Sequence, residues 1–201
     1  VLAFARKCDV ITFEHELIPI DIIREMENEG ISVYPSSHAF QYSQDKALMR
    51  AKLVHFPAPA STVITDASSI TSFPVIAKAI RGGYDGRGVF KVNTAGELQE
   101  SLEHTTPVLI EELVNFDAEI AVMVARTPDG VTTTWDPVET VQRDGICIYT
   151  VTPAQVINGD VAHEARRIAE AIATLTEVVG VMAVEMFVQG DTLYINELAM
   201  R

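Results

Sequence analysis

The feature that most restricts the fold of this chain is a run of glycines between two apolar segments. Residues 82–88 are Gly-Gly-Tyr-Asp-Gly-Arg-Gly, with apolar runs before them (Phe73–Ile80) and after them (Val89–Val92). This order predicts a strand, a flexible loop and a second strand. Because glycine has no Cβ, the backbone amides of such a loop can approach a phosphate closely. An ordinary hairpin loop is the alternative. A P-loop is excluded because the segment lacks the Gly-Lys-Ser/Thr ending, and a Rossmann loop is excluded because a strand and not a helix follows.

Charged residues inside apolar strands are the second unusual pattern. Lys78 lies within the first of those runs, and Glu185 and Glu197 interrupt two apolar segments near the end of the chain. Burying such a charge is costly unless it meets an opposite one. Lys78 is therefore expected to face an anion, with a lysine that reaches solvent from a sheet edge as the alternative.

The two glutamates are predicted to lie on one face of a hairpin. A three-residue turn at residues 189–191 would place Glu185 diagonally beside Glu197. Such a pair suits Mg²⁺, which takes one or two carboxylates together with nucleotide phosphates. A two-residue turn would put the carboxylates on opposite faces, and an ion pair between one of them and Arg201 is a further alternative.

A third pattern is the strand-like segment 108–114, which carries Glu111 and Glu112. The backbone of such a strand can bind an adenine edge while an acid accepts a hydrogen bond from a ribose hydroxyl. Glu119, a few residues further on, is another candidate. Solvated acids at the end of a strand are the alternative.

The hydrophobic pattern of the whole chain predicts a mixed fold of α/β and α+β type. Strands at 8–13 and 31–34 are expected to flank a helix at 17–29. Three further helices are expected, at 37–53, at 94–103 with Thr94 as its cap, and from Asp160 to about Val179. The rest is mostly strand, and a proline-rich link at 56–59 suggests a boundary.

The composition of the chain restricts the classes of molecule that it is expected to bind. The chain carries 28 acidic and 15 basic residues, a formal net charge of −13, which disfavours nucleic acid and anionic membranes. We expect no membrane-spanning segment, since no apolar run is long enough. Cys8 and Cys147 lie far apart, which favours a reduced, cytoplasmic protein. The chain starts on Val1 and ends on Arg201 directly after a strand, so we expect a piece of a longer protein.

Five segments, in order, resemble those of the N5-carboxyaminoimidazole ribonucleotide synthetases, a family of the ATP-grasp superfamily. They are Asp9–Glu16 (DVITFEHE), Gln44–Lys46, Arg81–Gly88 (RGGYDGRG), Arg143–Gly145 and Asn196–Arg201 (NELAMR). The glycine-rich and NELAMR segments are specific, and the others support them. Two positions depart from the family pattern: Gln142 stands where many members have a histidine, and Met200 replaces a common proline.

The resemblance implies an ATP-grasp fold, of mixed α/β and α+β class, truncated at both ends. Residues 1–36 would end an N-terminal α/β domain, residues 37–114 would form the small lid, and residues 115–201 most of the large ATP-binding lobe. The implied reaction belongs to de novo purine biosynthesis. ATP, bicarbonate and 5-aminoimidazole ribonucleotide give N5-carboxyaminoimidazole ribonucleotide, ADP and phosphate by way of carboxyphosphate. The resemblance also suggests a homodimer, and this stretch alone is expected to bind ATP weakly and turn over little.

Two alternatives stay open. One is a sister ATP-grasp ligase, such as a formate-dependent glycinamide ribonucleotide transformylase or a biotin carboxylase, and the RGGYDGRG and FEHE segments argue against it. The other is a non-catalytic nucleotide-binding module. Retention of Lys46, Lys78, Glu185 and Glu197 argues against that module.

The resemblance also assigns roles to single residues. Lys46 and Lys78 would hold the ATP phosphates, and Glu185 and Glu197 would hold Mg²⁺, with Mn²⁺ not distinguished. The other residues implied at the nucleotide are the lid residues Gly83, Tyr84, Asp85, Gly86, Arg87, Gly88 and Val89, the adenine-binding residues Glu111, Glu112, Leu113 and Val114, Glu119 at the ribose, and Gln142 and Asn196. Arg201, Tyr84 and Asp85 would act at the transferring group, and Glu14 would line the aminoimidazole ribonucleotide site.

Overall fold

Two antiparallel sheets organise the computed structural model, which describes residues 1–83, 87–143 and 145–201. The helices are α1 Leu2–Ala5, α2 Ile20–Asn28, α3 Ser37–Gln44, α4 Lys46–Lys52, α5 Ala95–His104 and α6 Gly159–Leu175. The strands are β1 Ser61–Ile64, β2 Val75–Ala79, β3 Val89–Val92, β4 Val108–Glu112, β5 Ala118–Arg126, β6 Thr132–Thr134, β7 Val138–Arg143, β8 Ile146–Val151, β9 Gly180–Gln189 and β10 Thr192–Met200. The predicted mixture of helix and sheet is confirmed. Within the described ranges, no helix combines the length and the hydropathy needed to cross a bilayer.

The larger sheet has the strand order β10-β9-β5-β7-β8, with β6 paired to β5. Its core face packs against α6 and against helices from the first quarter of the chain. Met182, Val184 and Met186 alternate along β9 and are each at most 1% exposed. Burying a side chain of this size contributes about 1.5–3 kcal/mol. Because successive side chains of a strand point to opposite faces, the intervening Glu185 faces away from this core.

The smaller sheet has the order β1-β4-β2-β3. Leu98 and Leu102 of α5 pack with Ile110 of β4 in a core of its own. The side chain of Thr94 accepts a hydrogen bond from the Glu97 amide and caps α5, as the sequence predicts. This unit presents β2 and β4 to the larger sheet.

The first 36 residues hold less regular structure than predicted. The strands expected at 8–13 and 31–34 amount to one parallel bridge, between Ile11 and Val33. A short apolar run indicates burial but does not fix strand pairing. The helix between them ends as expected before Gly30, whose φ is +80°.

Two helices differ from the prediction at their caps. The helix expected at 37–53 divides at Asp45, whose extended backbone ends α3 and whose side chain accepts from the Leu48 amide at the start of α4. α6 is capped by Asn158, which accepts from two backbone amides, in place of the predicted Asp160.

α3 and α4 pack against the larger sheet. Phe40, Met49 and Leu53 belong to its core cluster. The lid was predicted to start at residue 37. In the structure α3 and α4 pack with the larger sheet, and the smaller unit begins near Ser61, at β1. The domain limits at residues 36 and 114 stay predictions.

Candidate active site

A cleft of about 610 Å³ lies between the two sheets. It is lined by residues of β2, β4, β5, β9 and β10, so it draws on both units. The predicted site residues that line it are Lys78, Gly83, Val89, Glu111, Glu112, Leu113, Val114, Glu119, Gln142, Glu185, Asn196, Glu197 and Arg201. Lys46 adjoins the cleft, because its ammonium lies 3.4 Å from Glu197 Oε1.

The glycine-rich loop is described at its two ends. Tyr84, Asp85 and Gly86 lie outside the described residues, so the roles predicted for them stay predictions. A Cβ added to Gly83 would lie 2.7 Å from the carbonyl oxygen of Arg87, closer than any real contact of that kind. The two ends of the loop therefore pass so near each other that position 83 requires glycine. Gly88 follows with a φ of +76°, a conformation that also favours glycine.

The turn between β9 and β10 is shorter than predicted. Gln189 pairs with Thr192, which leaves a two-residue loop. Continued regularly, this register would turn Glu185 and Glu197 to opposite faces of the sheet. The prediction of a three-residue turn is wrong, and without a second irregularity the carboxylate pair would not form.

A β-bulge supplies that irregularity. The register shifts by one residue between Ile195 and Glu197, with Asn196 as the extra residue. Beyond the bulge Glu197 is the direct partner of Glu185. Direct partners share a face, and both side chains line the cleft. The two carboxylates therefore lie together through a bulge that was not predicted from the sequence.

Two carboxyl groups on this face have a raised pKa. Burial, and then the charges of Glu197 and Glu119, raise the pKa of Glu185 to about 7. Burial also raises the pKa of Glu119, with Lys78 opposing the shift and Glu197 adding to it. A cation placed between such groups would favour their charged forms. The cluster is therefore a site for positive charge.

The pair fits a hard dication in its donor type. Mg²⁺ prefers carboxylate oxygens and completes its shell with water and phosphate oxygens. In the part of the chain that the structure describes, no three His, Cys, Asp or Glu side chains are placed to hold a metal by themselves. A metal at Glu185 and Glu197 would therefore depend on a bound nucleotide or on water for its other ligands.

Lys78 lies in a buried charged network. Its ammonium is 2.9 Å from Glu111 Oε2 and donates to Asn196 Oδ1 at 2.9 Å. Arg50 binds the other Glu111 oxygen at 2.6 Å. Burial alone would raise the pKa of Glu111, but the two cations outweigh burial and lower it. Lys78 is 4% exposed, so the alternative of a lysine that reaches solvent is wrong, and the Glu111 carboxylate is a counter-ion to both cations.

Glu16 lines the cleft, whereas the predicted Glu14 does not. The Glu14 side chain is 84% exposed and lies 3.4 Å from Arg201. Glu16 has one buried carboxylate oxygen without a hydrogen-bond partner among the described residues, and burial raises its pKa. The Gln44 amide fixes this segment by donating to the carbonyls of Glu16 and Ile18. The FEHE segment thus contributes Glu16 to the cleft in place of Glu14, and the role predicted for Glu14 at the ribonucleotide stays a prediction.

Sequence reasoning also missed Arg50 and an aromatic pair. Arg50 lies four residues after Lys46 on α4, a spacing that puts both on one side of a helix and could have revealed it. Phe116 and Phe187 stack with ring centroids 4.5 Å apart and line the cleft. They give it a flat apolar wall that suits a planar ring. Nothing in the sequence separates these two from core aromatics.

The cleft between the two sheets combines buried cations, paired carboxylates and a glycine-rich loop. This combination defines a class of nucleotide-binding protein. Residues 50–201 match the ATP-grasp domain family, and the chain belongs to that family. Within it the chain is similar to N5-carboxyaminoimidazole ribonucleotide synthases. The protein of that name from Mycobacterium leprae (strain TN) is 40% identical, over 96% of this chain and 48% of its own length.

Two solved structures from Aspergillus clavatus are similar as well. Carboxyaminoimidazole ribonucleotide synthase complexed with ATP has a TM-score of 0.88 at 28% identity, over 98% of this chain and 55% of its own. The synthase in complex with ADP and 5-aminoimidazole ribonucleotide has a TM-score of 0.86 at 27% identity, over 97% of this chain and 54% of its own. The chain thus spans about half the length of the relatives it matches.

Proposed function

We propose that the protein carrying this chain uses ATP and bicarbonate to carboxylate 5-aminoimidazole ribonucleotide in de novo purine biosynthesis. The observation that carries the proposal is the pairing of Glu185 and Glu197 across one hairpin, in the same cleft as Lys78. The similarity to synthases of that name supports the choice of substrate. Because the chain spans about half of those relatives, the activity is proposed for the complete protein.

The first step would be phosphoryl transfer. A bicarbonate oxygen attacks the γ-phosphorus of ATP, the bond to the β–γ bridging oxygen breaks, and ADP leaves with that electron pair. Such a transfer depends on positioning and charge neutralisation. Lys46 and Lys78, at most 7% exposed, would neutralise phosphate oxygens. Glu185 and Glu197 would hold Mg²⁺ or Mn²⁺, which when bound neutralises the β- and γ-phosphates.

The nucleotide would lie across both sheets. The adenine would pack on the wall formed by Phe116 and Phe187, beside the strand end Glu111–Val114 and near Gln142. Glu119 would accept a hydrogen bond from a ribose hydroxyl. All of these residues line the cleft. Residues 83–89 would cover the phosphates, and Asn196, which accepts from Lys78, would set the position of that lysine.

The second step would be carboxyl transfer. The exocyclic amine attacks the carbon of carboxyphosphate, the bond from that carbon to the phosphoryl-bearing oxygen breaks, and phosphate leaves while the amine loses a proton. Glu16 is our candidate to accept the proton from the amine, because one of its oxygens has no hydrogen-bond partner among the described residues and its pKa is raised. Arg201 would face the leaving phosphate. Excluding water protects the intermediate, which gives the glycine-rich cover its use.

The test measures ADP release by the complete protein, with aminoimidazole ribonucleotide and bicarbonate each omitted in turn. We expect ADP formation to depend on both substrates. With ¹⁸O-labelled bicarbonate, the phosphate released should carry label, because the carbon–oxygen bond of carboxyphosphate breaks. The proposal would be contradicted by ADP release that does not depend on the ribonucleotide, or by released phosphate that carries no ¹⁸O label. The same assay tests the two sister ligases when the ribonucleotide is replaced by glycinamide ribonucleotide with formate, or by biotin with bicarbonate.

We also propose that the complete protein is a cytoplasmic homodimer. Cys8 and Cys147 are free thiols, which suits a reducing compartment. The dimer rests on the family resemblance, and sedimentation of the complete protein tests it.

A further inference from the structure

We propose that Arg50 is a positioning residue for the carboxylate pair. It holds the β-bulge that brings Glu197 to the same face as Glu185. This proposal rests on the metal-binding role given to that pair in the proposed function. It concerns a residue outside the lining of the cleft, which acts through the backbone of β10.

The hydrogen bonds of Arg50 select the bulged backbone. Its Nη1 donates to the carbonyl of Ile195 at 2.9 Å, and its Nη2 donates to the carbonyl of Asn196 at 3.0 Å. In a regular strand, the carbonyls of consecutive residues point to opposite sides of the strand. One guanidinium can bind both only where the strand is bulged. Arg50 therefore stabilises the bulged form of β10 and not the regular form.

Arg50 is itself held in place. Its Nε donates to Glu111 Oε1 at 2.6 Å, and it is 8% exposed. Lys46, one turn earlier on α4, lies 3.4 Å from Glu197, so the same helix contacts β10 at the bulge and beyond it. Without Arg50, two carbonyls lose their donor, which costs free energy in a buried strand. The regular register then becomes competitive, and in that register Glu197 leaves the face of Glu185.

The test is a double-mutant cycle in the complete protein, which combines Arg50→Lys with a deletion of Asn196. Lysine keeps a positive charge beside Glu111, but it lacks the planar fork that binds two carbonyls at once. Deleting Asn196 removes the extra residue, so the two-residue turn pairs Glu185 with Glu197 in a regular ladder. The measured quantity is the affinity for Mn²⁺, from electron paramagnetic resonance with saturating ADP.

We expect Arg50→Lys to weaken Mn²⁺ binding by about tenfold or more in the bulged protein, the usual cost of losing a residue that orients metal ligands. In the Asn196-deleted protein the same substitution should change the affinity by less than about twofold. Arg50→Gln, which offers one amide and no charge, is a second variant with the same expectation. Lys52→Met is the matched control on α4; Lys52 lies over the Tyr42 ring and should leave Mn²⁺ affinity unchanged.

Two results would overturn the proposal. An equal loss in both backgrounds would mean that Arg50 does not act through the bulge, and no loss in the bulged protein would mean that the pair does not need Arg50. Metal affinity is measured without turnover. A wild-type protein that binds Mn²⁺ but does not carboxylate would therefore refute the proposed function and leave this test valid.

Discussion

Glu111 and Glu185 show how the surroundings of a buried acid decide its charge. Both are strand glutamates that line the same cleft. Glu111 lies against Arg50 and Lys78, and its pKa falls in spite of burial. Glu185 faces other carboxylates, and its pKa rises to about 7. The first is a permanent anion that fixes two cations, and the second is a site that gains from a bound cation.

Glu185 predicts a pH-dependent stability in the absence of metal. Its folded-state pKa of about 7 exceeds the value of about 4.3 in an unfolded chain, so between these values the folded state binds more protons. The free energy of unfolding should therefore fall as pH rises through this window, by at most about 1.4 kcal/mol per unit from this group. Urea denaturation with EDTA, from about pH 5 to about pH 8, measures it. The stability of Glu185→Gln relative to wild type should increase with pH; parallel curves would show that the pKa is not raised.

Lys78→Ala should remove most of the activity. The substitution deletes one of two cations on Glu111, leaves Asn196 Oδ1 without its donor, and removes the proposed phosphate contact. Losing one such group costs about 100- to 1,000-fold in kcat. ADP release is measured at a temperature where circular dichroism shows the variant folded. Lys91→Ala, at an exposed position on the neighbouring β3, is the control. Full activity in Lys78→Ala would eliminate the phosphate role.

The hairpin β9–β10 shows how far local sequence can predict an element. Apolar runs, each interrupted by a glutamate, predicted both strands. The shared face of the two acids was predicted from a three-residue turn, and in the structure it arises from a two-residue turn and a bulge. The turn sequence Gln189-Gly190-Asp191 is compatible with loops of two or three residues, so the register could not be predicted. The bulge depends on Arg50, which lies 145 positions from Ile195. No signal within the hairpin itself could have predicted it.

The break between α3 and α4 has the same origin. The hydrophobic pattern continues through Asp45, so one helix was predicted at 37–53. In the structure Asp45 caps α4 and also pairs with Arg81 at 2.7 Å, next to the glycine-rich loop. The cap on Leu48 is local, but the extended backbone at Asp45 coincides with two contacts to a distant segment, the ion pair with Arg81 and the hydrogen bond from the Lys46 amide to the Ile80 carbonyl. By contrast, the cap at Thr94 depends on neighbours in sequence and was predicted correctly.

Gly83→Ala should impair nucleotide use without unfolding the protein. The new Cβ would lie 2.7 Å from the Arg87 carbonyl, so the ends of the loop must move apart, whereas the sheet cores do not include this position. We expect kcat/KM for ATP to fall by about tenfold or more, since small displacements at a positioning loop cost about that much. Gly96→Ala is the matched control. Its Cβ would meet nothing nearer than 3.9 Å in α5, and alanine there stabilises a helix by about 0.5–1 kcal/mol. Equal kcat/KM in both variants would contradict the role of the loop.

At the scale of the molecule, net charge was a poor guide to the ligand. The chain carries −13, yet the described cations that are buried, Lys46, Arg50 and Lys78, lie in the cleft or directly behind its lining. A few placed cations can override a weak overall field at short range. The motifs pointed to most of the lining residues, because each motif is local. The way in which Arg50 connects α4, β4 and β10 could not be predicted, because it exists only after the two sheets have met.

The placement of the site between two sheets predicts that metal and nucleotide stabilise the complete protein together. Lys78 and Glu111 belong to the smaller sheet, and Glu185 and Glu197 belong to the larger one. A nucleotide held by the cations and joined to the carboxylates by a metal would connect both sheets. Each tenfold increase in such a ligand above its Kd adds about 1.4 kcal/mol to the unfolding free energy. The thermal midpoint should therefore rise with ADP and Mg²⁺ together, and much less with ADP and EDTA. Glu197→Gln should lose the metal-dependent part of that rise and keep the rest. An equal rise with EDTA, or an unchanged metal response in Glu197→Gln, would show that the carboxylate pair does not hold the metal that the nucleotide uses.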